Sequence, residues 1–303
     1  MTATSMLWRR VDTRGSLHMS PHDMLNGRGW EMVVGSVSPP LRGAIAGYAG
    51  FYEEFAAPIR RLETSSAFAK LILCFEGSVN AARPGKRSTV KLTAFAVGLG
   101  HAAMVARHDG RLGCLEVELS PGTAKTLLDD SPTLAGAGIV DLQDLWGAEA
   151  STLISRLCDA PDWAARFTVV DETLLARSAA TNVAIPADVQ WAWSQIASSQ
   201  GRVNISQLAR DIGWSGRHFA ARFVDAVGMA PKAAARVLRF DRARGLVASP
   251  ANYQLSGIAL DCGYSDQSHM TREFREFADC SPARYRAARL NGVLGVSADL
   301  LGM

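Results

Sequence analysis

Long apolar runs are missing from this chain: across 303 residues none reaches the roughly 18 that a bilayer-crossing helix needs. The N-terminus, MTATSMLWRRVDTRG, is polar where a secretory leader would carry an apolar stretch. Cysteine is sparse and unpatterned, with five residues (Cys74, Cys114, Cys158, Cys262 and Cys280) among apolar neighbours and no CxxC pair. That arrangement reads as buried small hydrophobes in a reducing compartment rather than a metal or redox centre. There is no GxSxG elbow and no HExxH pair. GLGHAA at 98–103 misses both the spacing and the helical context of a dinucleotide loop. These gaps predict a cytoplasmic protein that is not an enzyme, has no membrane association, and uses neither a metal nor a cofactor.

What is present is 48% apolar and 20% charged sequence, enough for two domains with cores of their own. The formal charge of +3 is unevenly placed. Residues 187–290 hold 14 Lys and Arg, 13 of them Arg, against 9 Asp and Glu, while the remainder is mildly acidic. An Arg-rich segment beside a near-neutral one suits a polyanion-binding module joined to a partner domain.

Residues 1–29 show no period and read as a loop-rich lead-in. From Trp30 to about Leu119, short apolar runs such as EMVVGSV, FAKLILCFEG and RLGCLEVELS are split by turn residues, the texture of an antiparallel sandwich or barrel. HDGR (His108 to Arg111) reads as a hairpin turn. After Ser120-Pro121-Gly122, TAKTLLDD reads as a short helix and AGIVDLQDLWG as a strand with a turn. ASTLISRLCDA and DWAARFTVVDETLLARSAA have the spacing of amphipathic helices. The helix around Trp163–Leu175 could cover the sheet or pack a dimer interface. Asn182 to Pro186 interrupts the pattern as a linker. Helices are then expected at roughly 187–199, 205–212, 215–226, 231–248, 255–262, 266–278 and 282–290, before a short and unpatterned tail from Asn291. The fold class is thus multidomain α+β: a β-rich sensor or dimerisation domain with flanking helices over 1–185, an all-α domain over 187–290, and a tail over 291–303.

The all-α segment contains one pattern twice. ISQLARDIGWSGRHFAARFVDAVGMAP and LSGIALDCGYSDQSHMTREFREFADCSP align at an offset of 50 through Ala209/Ala259, Gly213/Gly263, Trp214/Tyr264 and Ser215/Ser265. One extra residue in the second copy then shifts Phe219, Phe223 and Pro231 onto Met270, Phe274 and Pro282. Ala209 and Ala259 suit a close helix crossing, and Gly213 and Gly263 a sharp left-handed turn. Ser215 and Ser265 suit caps of the following helix. The pattern is a helix-turn-helix repeated. Two departures stand out, Asp279 where the first copy has Gly228 and Ala234 where the second has Tyr285, and both read as packing differences.

On these stretches, with LRFDRARGLV and SPARYR beside them, residues 187–290 resemble the DNA-binding domain of the AraC/XylS family of transcription regulators. The resemblance implies two helix-turn-helix units joined by a long helix near 231–248, and double-stranded DNA as partner. It also implies an N-terminal domain, often cupin-like, that takes a small-molecule effector or forms a homodimer, and RNA polymerase as a partner if the protein is an activator. Carried over by position, the first recognition helix offers Ser215, Gly216, Arg217, His218, Ala220, Ala221 and Arg222. The second offers Asp266, Gln267, Ser268, Thr271, Arg272 and Arg275. Arg272 suits guanine O6/N7. Arg222, Arg275, Arg284 and Arg286 read as phosphate-binding or solvated, and Asp266 also as a helix cap. Arg239, Asp241, Arg242 and Arg244 read as pairing among themselves. In the β region Trp30, Tyr48, Phe51, Tyr52, Phe75 and Phe95 are the candidate ligand-pocket liners, with ordinary core as the alternative. His101 and His108 are seven apart and would face opposite sides of one strand, a poor start for a cupin metal site. The rival function is an effector-binding or enzymatic protein whose helical domain makes protein contacts.

Overall fold

The computed structural model describes residues 17–19, 29–85, 90–128, 138–180, 185–249, 251–290 and 295–303. Most of the predicted lead-in and the linker residues 182–184 lie outside them. The described part of the lead-in is not loop: Leu17–Met19 forms β1, paired antiparallel with β2 (Gly29–Gly35).

Nine further strands follow: β3 (Ile45–Glu54), β4 (Ile59–Glu63), β5 (Ala69–Glu76), β6 (Val79–Ala82), β7 (Val90–Leu92), β8 (Ala94–Val97), β9 (Met104–His108), β10 (Arg111–Leu119) and β11 (Ile139–Asp141). They form two antiparallel sheets, a seven-stranded one in the order β1-β2-β3-β10-β5-β8-β11 and a four-stranded one in the order β4-β9-β6-β7. The HDGR turn is not a hairpin. β9 pairs with β4 and β6, whereas β10 pairs with β3 and β5, so Asp109-Gly110 is a corner where the chain changes sheets. Turn chemistry reports the reversal of the chain but not which sheet the next strand joins.

Side-chain alternation divides the large sheet's two faces. Cys74, Phe95, Val97 and Cys114 turn toward Val79, Ala81 and Met104 of the small sheet and fill the space between the two. Tyr48, Leu71, Leu73, Leu115 and Val117 turn the other way. They are covered by the helices that follow: α1 (Pro121–Leu127), α2 (Leu142–Trp146), α3 (Ala148–Asp159) and α4 (Trp163–Ala180). α4 therefore roofs the sheet, with Phe167, Val170 and Leu174 buried. Its rings sit where the strands carry no side chain. A Cβ at Gly35 would lie 2.7 Å from Phe167, and one at Gly50 would run into the Trp163 ring.

The C-terminal unit has α5 (Ala187–Ser198), α6 (Ile205–Asp211), α7 (Gly216–Val227), α8 (Pro231–Val247), α9 (Leu255–Asp261), α10 (Gln267–Ala278) and α11 (Pro282–Ala287). All seven expected helices are present, with ends moved by one residue except at α11, which stops three residues early. Its apolar residues form two clusters. One joins α5, α6 and α7 to the first turns of α8, and the other joins the second half of α8 to α9, α10 and α11. The tail is not unpatterned. Val296 and Leu301 are buried, and Ser297 caps a short helix, α12 (Ala298–Leu301).

The units meet along a charged seam. Beyond the reach of the small sheet, the inner face of the large one carries Lys70, Glu116 and Glu118, with Lys70 Nζ 2.6 Å from Glu116 Oε1. Asp241 and Arg244 of α8 face this cluster and pair with each other at 3.1 Å. Burial raises Glu118 to about 7 against the pull of Lys70. Burial also lowers His101 to about 4, so its ring is neutral at physiological pH, with Nδ1 2.9 Å from the Ala102 carbonyl oxygen. His108 lies elsewhere, 2.9 Å from buried Glu53.

Candidate nucleic-acid interface

Each helix-turn-helix follows from its sequence. In the first, Asn204 accepts the Gln207 N–H to start α6, Ala209 is buried at the crossing, and Gly213 takes the left-handed turn at φ +79°. Ser215 accepts the His218 N–H to start α7, which buries Phe219, Phe223 and Val227 and ends on Gly228 at φ +82°. Ser215, Gly216, Arg217, His218, Ala221 and Arg222 are exposed, while Ala220 is half-buried. The His218 ring rests edge-on against Trp214 at 4.8 Å between centroids.

The second unit departs from this where the extra residue enters. Ser265 does not cap. Asp266, the inserted residue, accepts the His269 N–H at 2.7 Å, while the Ser265 hydroxyl hydrogen-bonds the Asp266 carboxylate. The His269 N–H holds the exposed Asp266 carboxyl below the usual aspartate range. α10 buries Met270, Phe274 and Ala278 and leaves Gln267, Ser268, Arg272 and Arg275 exposed. Thr271 is half-buried and donates its hydroxyl to the Gln267 carbonyl oxygen at 2.8 Å. Asp279 ends the helix at φ +53°, so its match to Gly228 is a shared left-handed C-cap rather than a packing difference.

Arg217, Arg222, Arg272 and Arg275 form no ion pair among the described residues. Other arginines are committed within the chain. Arg284 donates to the Leu301 carbonyl oxygen. Arg286 reaches the carbonyl oxygens of Val247 and Tyr253 and the side chain of Asn252, closing the C-terminal end of α8. The long-helix network also differs from the expectation. Arg244 pairs with Asp241, but Arg239 turns to Glu273 of α10 at 3.5 Å and to the Gly201 carbonyl oxygen. Sequence reasoning missed Glu273, a carboxylate 3% exposed and held by Arg236 Nε at 2.8 Å. Its one sequence signal is an acidic residue immediately before a core phenylalanine, on the inward side of an amphipathic helix.

The six expected ligand liners do not converge. Phe51 and Phe95 belong to the packing between the sheets, Trp30 shares their strand face, and Tyr48 is fully buried under α4 with its hydroxyl donating to Asp171 at 2.6 Å. Only Tyr52 and Phe75 line a cleft, an open one of about 340 Å³ completed by Glu31, Glu76, Cys158, Trp163 and Arg166. The Arg166 guanidinium lies 4.2 Å over the Phe75 ring. Cys158 is exposed, contrary to its assignment to the core, while the other four cysteines are buried.

Comparison with known proteins places a helix-turn-helix domain family on residues 208–288. Uncharacterized HTH-type transcriptional regulators of Staphylococcus aureus are 26% identical over 87 residues, 29% of this chain. The match spans only 12% of the length of those relatives. Among solved structures, ToxT from Vibrio cholerae aligns over 83% of this chain and 100% of its own at 10% identity and a TM-score of 0.46. A transcriptional regulator of the AraC-type DNA-binding class from Chromobacterium violaceum aligns over 34% of this chain and 93% of its own, at 25% identity and a TM-score of 0.31. With two matching units in register along one long helix, the C-terminal part of this chain is similar to a helix-turn-helix domain over residues 208–288.

Proposed function

We propose that the protein is a sequence-specific DNA-binding transcription regulator whose N-terminal β-rich unit receives a small-molecule effector. The observation that carries this reading is the paired exposure of the first turns of α7 and α10. A recognition helix reads base edges with its N-terminal residues, and here those turns offer Arg217 and His218 on one unit and Gln267 and Ser268, with Arg272 one turn on, on the other. Arg272 reads a guanine through its bidentate fork, and Arg222 and Arg275 contact phosphates. Ser215 and Asp266, as caps, orient the helices rather than read bases. The cleft between β3, β5, α3 and α4, with its aromatic wall and stacked Arg166, is the candidate effector site.

The test is a binding assay on a duplex selected by the full chain from a random pool. Affinity is expected to fall steeply with salt as condensed counterions are released. Arg272→Ala is expected to cost about 1–3 kcal/mol on the selected site and to relax preference at one base pair. Equal loss on every sequence would make Arg272 a phosphate contact, and failure to select any duplex would favour a helical domain that binds protein.

A further inference from the structure

The N-terminal unit touches both recognition helices, each at its C-terminal end. At α7, Leu99 lies 3.6 Å from where a Cβ of Gly228 would stand, and Met229 packs against Gly100. The Ala226 carbonyl oxygen, in the last turn, approaches Gly122 of α1. At α10, the Ser65 N–H donates to the Phe277 carbonyl oxygen at 3.3 Å, and Leu62 and Ala103 lie inside the apolar cluster that holds Phe274 and Ala278. Between these points the Asp241 carboxylate of α8 accepts the Ala67 N–H, and Phe68 meets Trp193 of α5 edge-on at 6.0 Å. The tail closes the arrangement. Val296 accepts the Leu62 N–H at 2.9 Å, Ser297 bridges Arg61 on the edge of β4, and Arg60 pairs with Asp299.

This grip leaves the groove-facing turns free, because every contact named lies at the opposite end of its helix or off the recognition helices altogether. The two helical cores are separate clusters on different halves of α8, and the N-terminal unit enters one of them through Leu62 and Ala103 while meeting the other at its margin through Leu99, Gly100 and Phe68. We propose that it acts as a positioning frame: segments 62–68 and 99–103 hold α7 and α10 by their C-terminal ends and fix the separation and tilt at which both enter DNA. Met229, Phe68 and Asp299 are positioning residues, outside the groove face. The inference rests on the DNA-binding reading above and goes beyond it, since bound units joined only by α8 would tolerate a wider range of half-site spacings.

The experiment compares the full chain with Phe68→Ala/Met229→Ala and with Asp299→Arg, on the selected duplex, on one half-site, and on the duplex with about 5 bp, half a turn, inserted between half-sites. Loosening the frame is expected to weaken two-site binding about tenfold, through lost effective concentration, with half-site affinity unchanged and a smaller penalty for the insertion. Independently of DNA, the variants are expected to broaden the distance distribution between spin labels at Arg210→Cys and Ser256→Cys in a Cys158→Ser background. Unchanged spacing penalties with unchanged label distances would overturn the proposal, and so would tighter binding by the variants, which would make the grip inhibitory. If the label distances broaden but no duplex is ever selected, the DNA-binding reading has failed while the grip itself stands.

Discussion

Asp279 holds a left-handed conformation that its counterpart Gly228 adopts without a Cβ. A short polar side chain makes that tolerable rather than free. Asp279→Gly is therefore expected to raise stability by about 0.5–1 kcal/mol, read as a shifted urea midpoint with unchanged slope. Gly50 presents the opposite case. Its missing side chain is the socket for Trp163, so Gly50→Ala, favourable for a strand in isolation, is expected to cost about 1–3 kcal/mol through overpacking and to unsettle the cleft that Trp163 lines. The mismatch at Asp279 was visible in the sequence, but its meaning was not, because residue identity does not state φ. Gly50 carried no signal at all, since the ring that occupies it arrives from 113 residues away. The aromatic liners failed for a related reason. Tyr48 and Phe51 lie on opposite faces of one strand, and without a register neither face can be matched to a pocket.

The two recognition helices start on different caps. Ser215→Ala is expected to cost about 1 kcal/mol of stability, seen as a lower melting midpoint. In the second unit the cap is charged, and its pKa is depressed in the folded state. The stabilisation from Asp266 is thus present above the ordinary aspartate pKa of about 4 and lost as pH falls below it. Asp266→Asn keeps the acceptor and is expected to flatten that acid limb, which far-UV circular dichroism across an acid titration would show. Much of this scale was legible. A repeat with turn glycines, buried alanines and large apolar residues four apart (Phe219 and Phe223, Met270 and Phe274) fixes both helix pairs to within a residue. The one-residue offset even marks the cap exchange, although which of Ser265 and Asp266 takes the role depends on geometry. Sheet elements were less legible, as the corner at Asp109-Gly110 illustrates.

Across the whole molecule, the seam between the units is charged and buried, a combination no local pattern announces, since Lys70, Glu118 and Asp241 come from three distant segments. Its groups set a pH dependence. Lys70, Glu116, Asp241 and Arg244 surround Glu118, whose folded pKa is raised to about 7, and His101 lies near the same Lys70, Glu116 and Arg244. A raised carboxyl pKa contributes stability that is complete below the unfolded value, about 4.3, and is lost as pH climbs through the folded one. His101, with its lowered pKa, acts in the opposite direction over much of the same range. The readout is consequently the difference between proteins: Glu118→Gln is expected to gain on the wild type as pH rises from 5 to 8, in paired thermal melts, and a constant difference would place the titration elsewhere.

β4 is one of the two edge strands of the small sheet, and residues 296–297 cover its open side. Uncovered strand margins invite pairing with a neighbouring molecule, and proteins commonly blunt them. Here the blunting segment is covalently attached to the helical domain, so any event that lifts the domain also bares the strand. Two lifted molecules could then trade segments, each closing the other's sheet, and self-association at high concentration would be a side effect of domain opening rather than a property of the surface at rest.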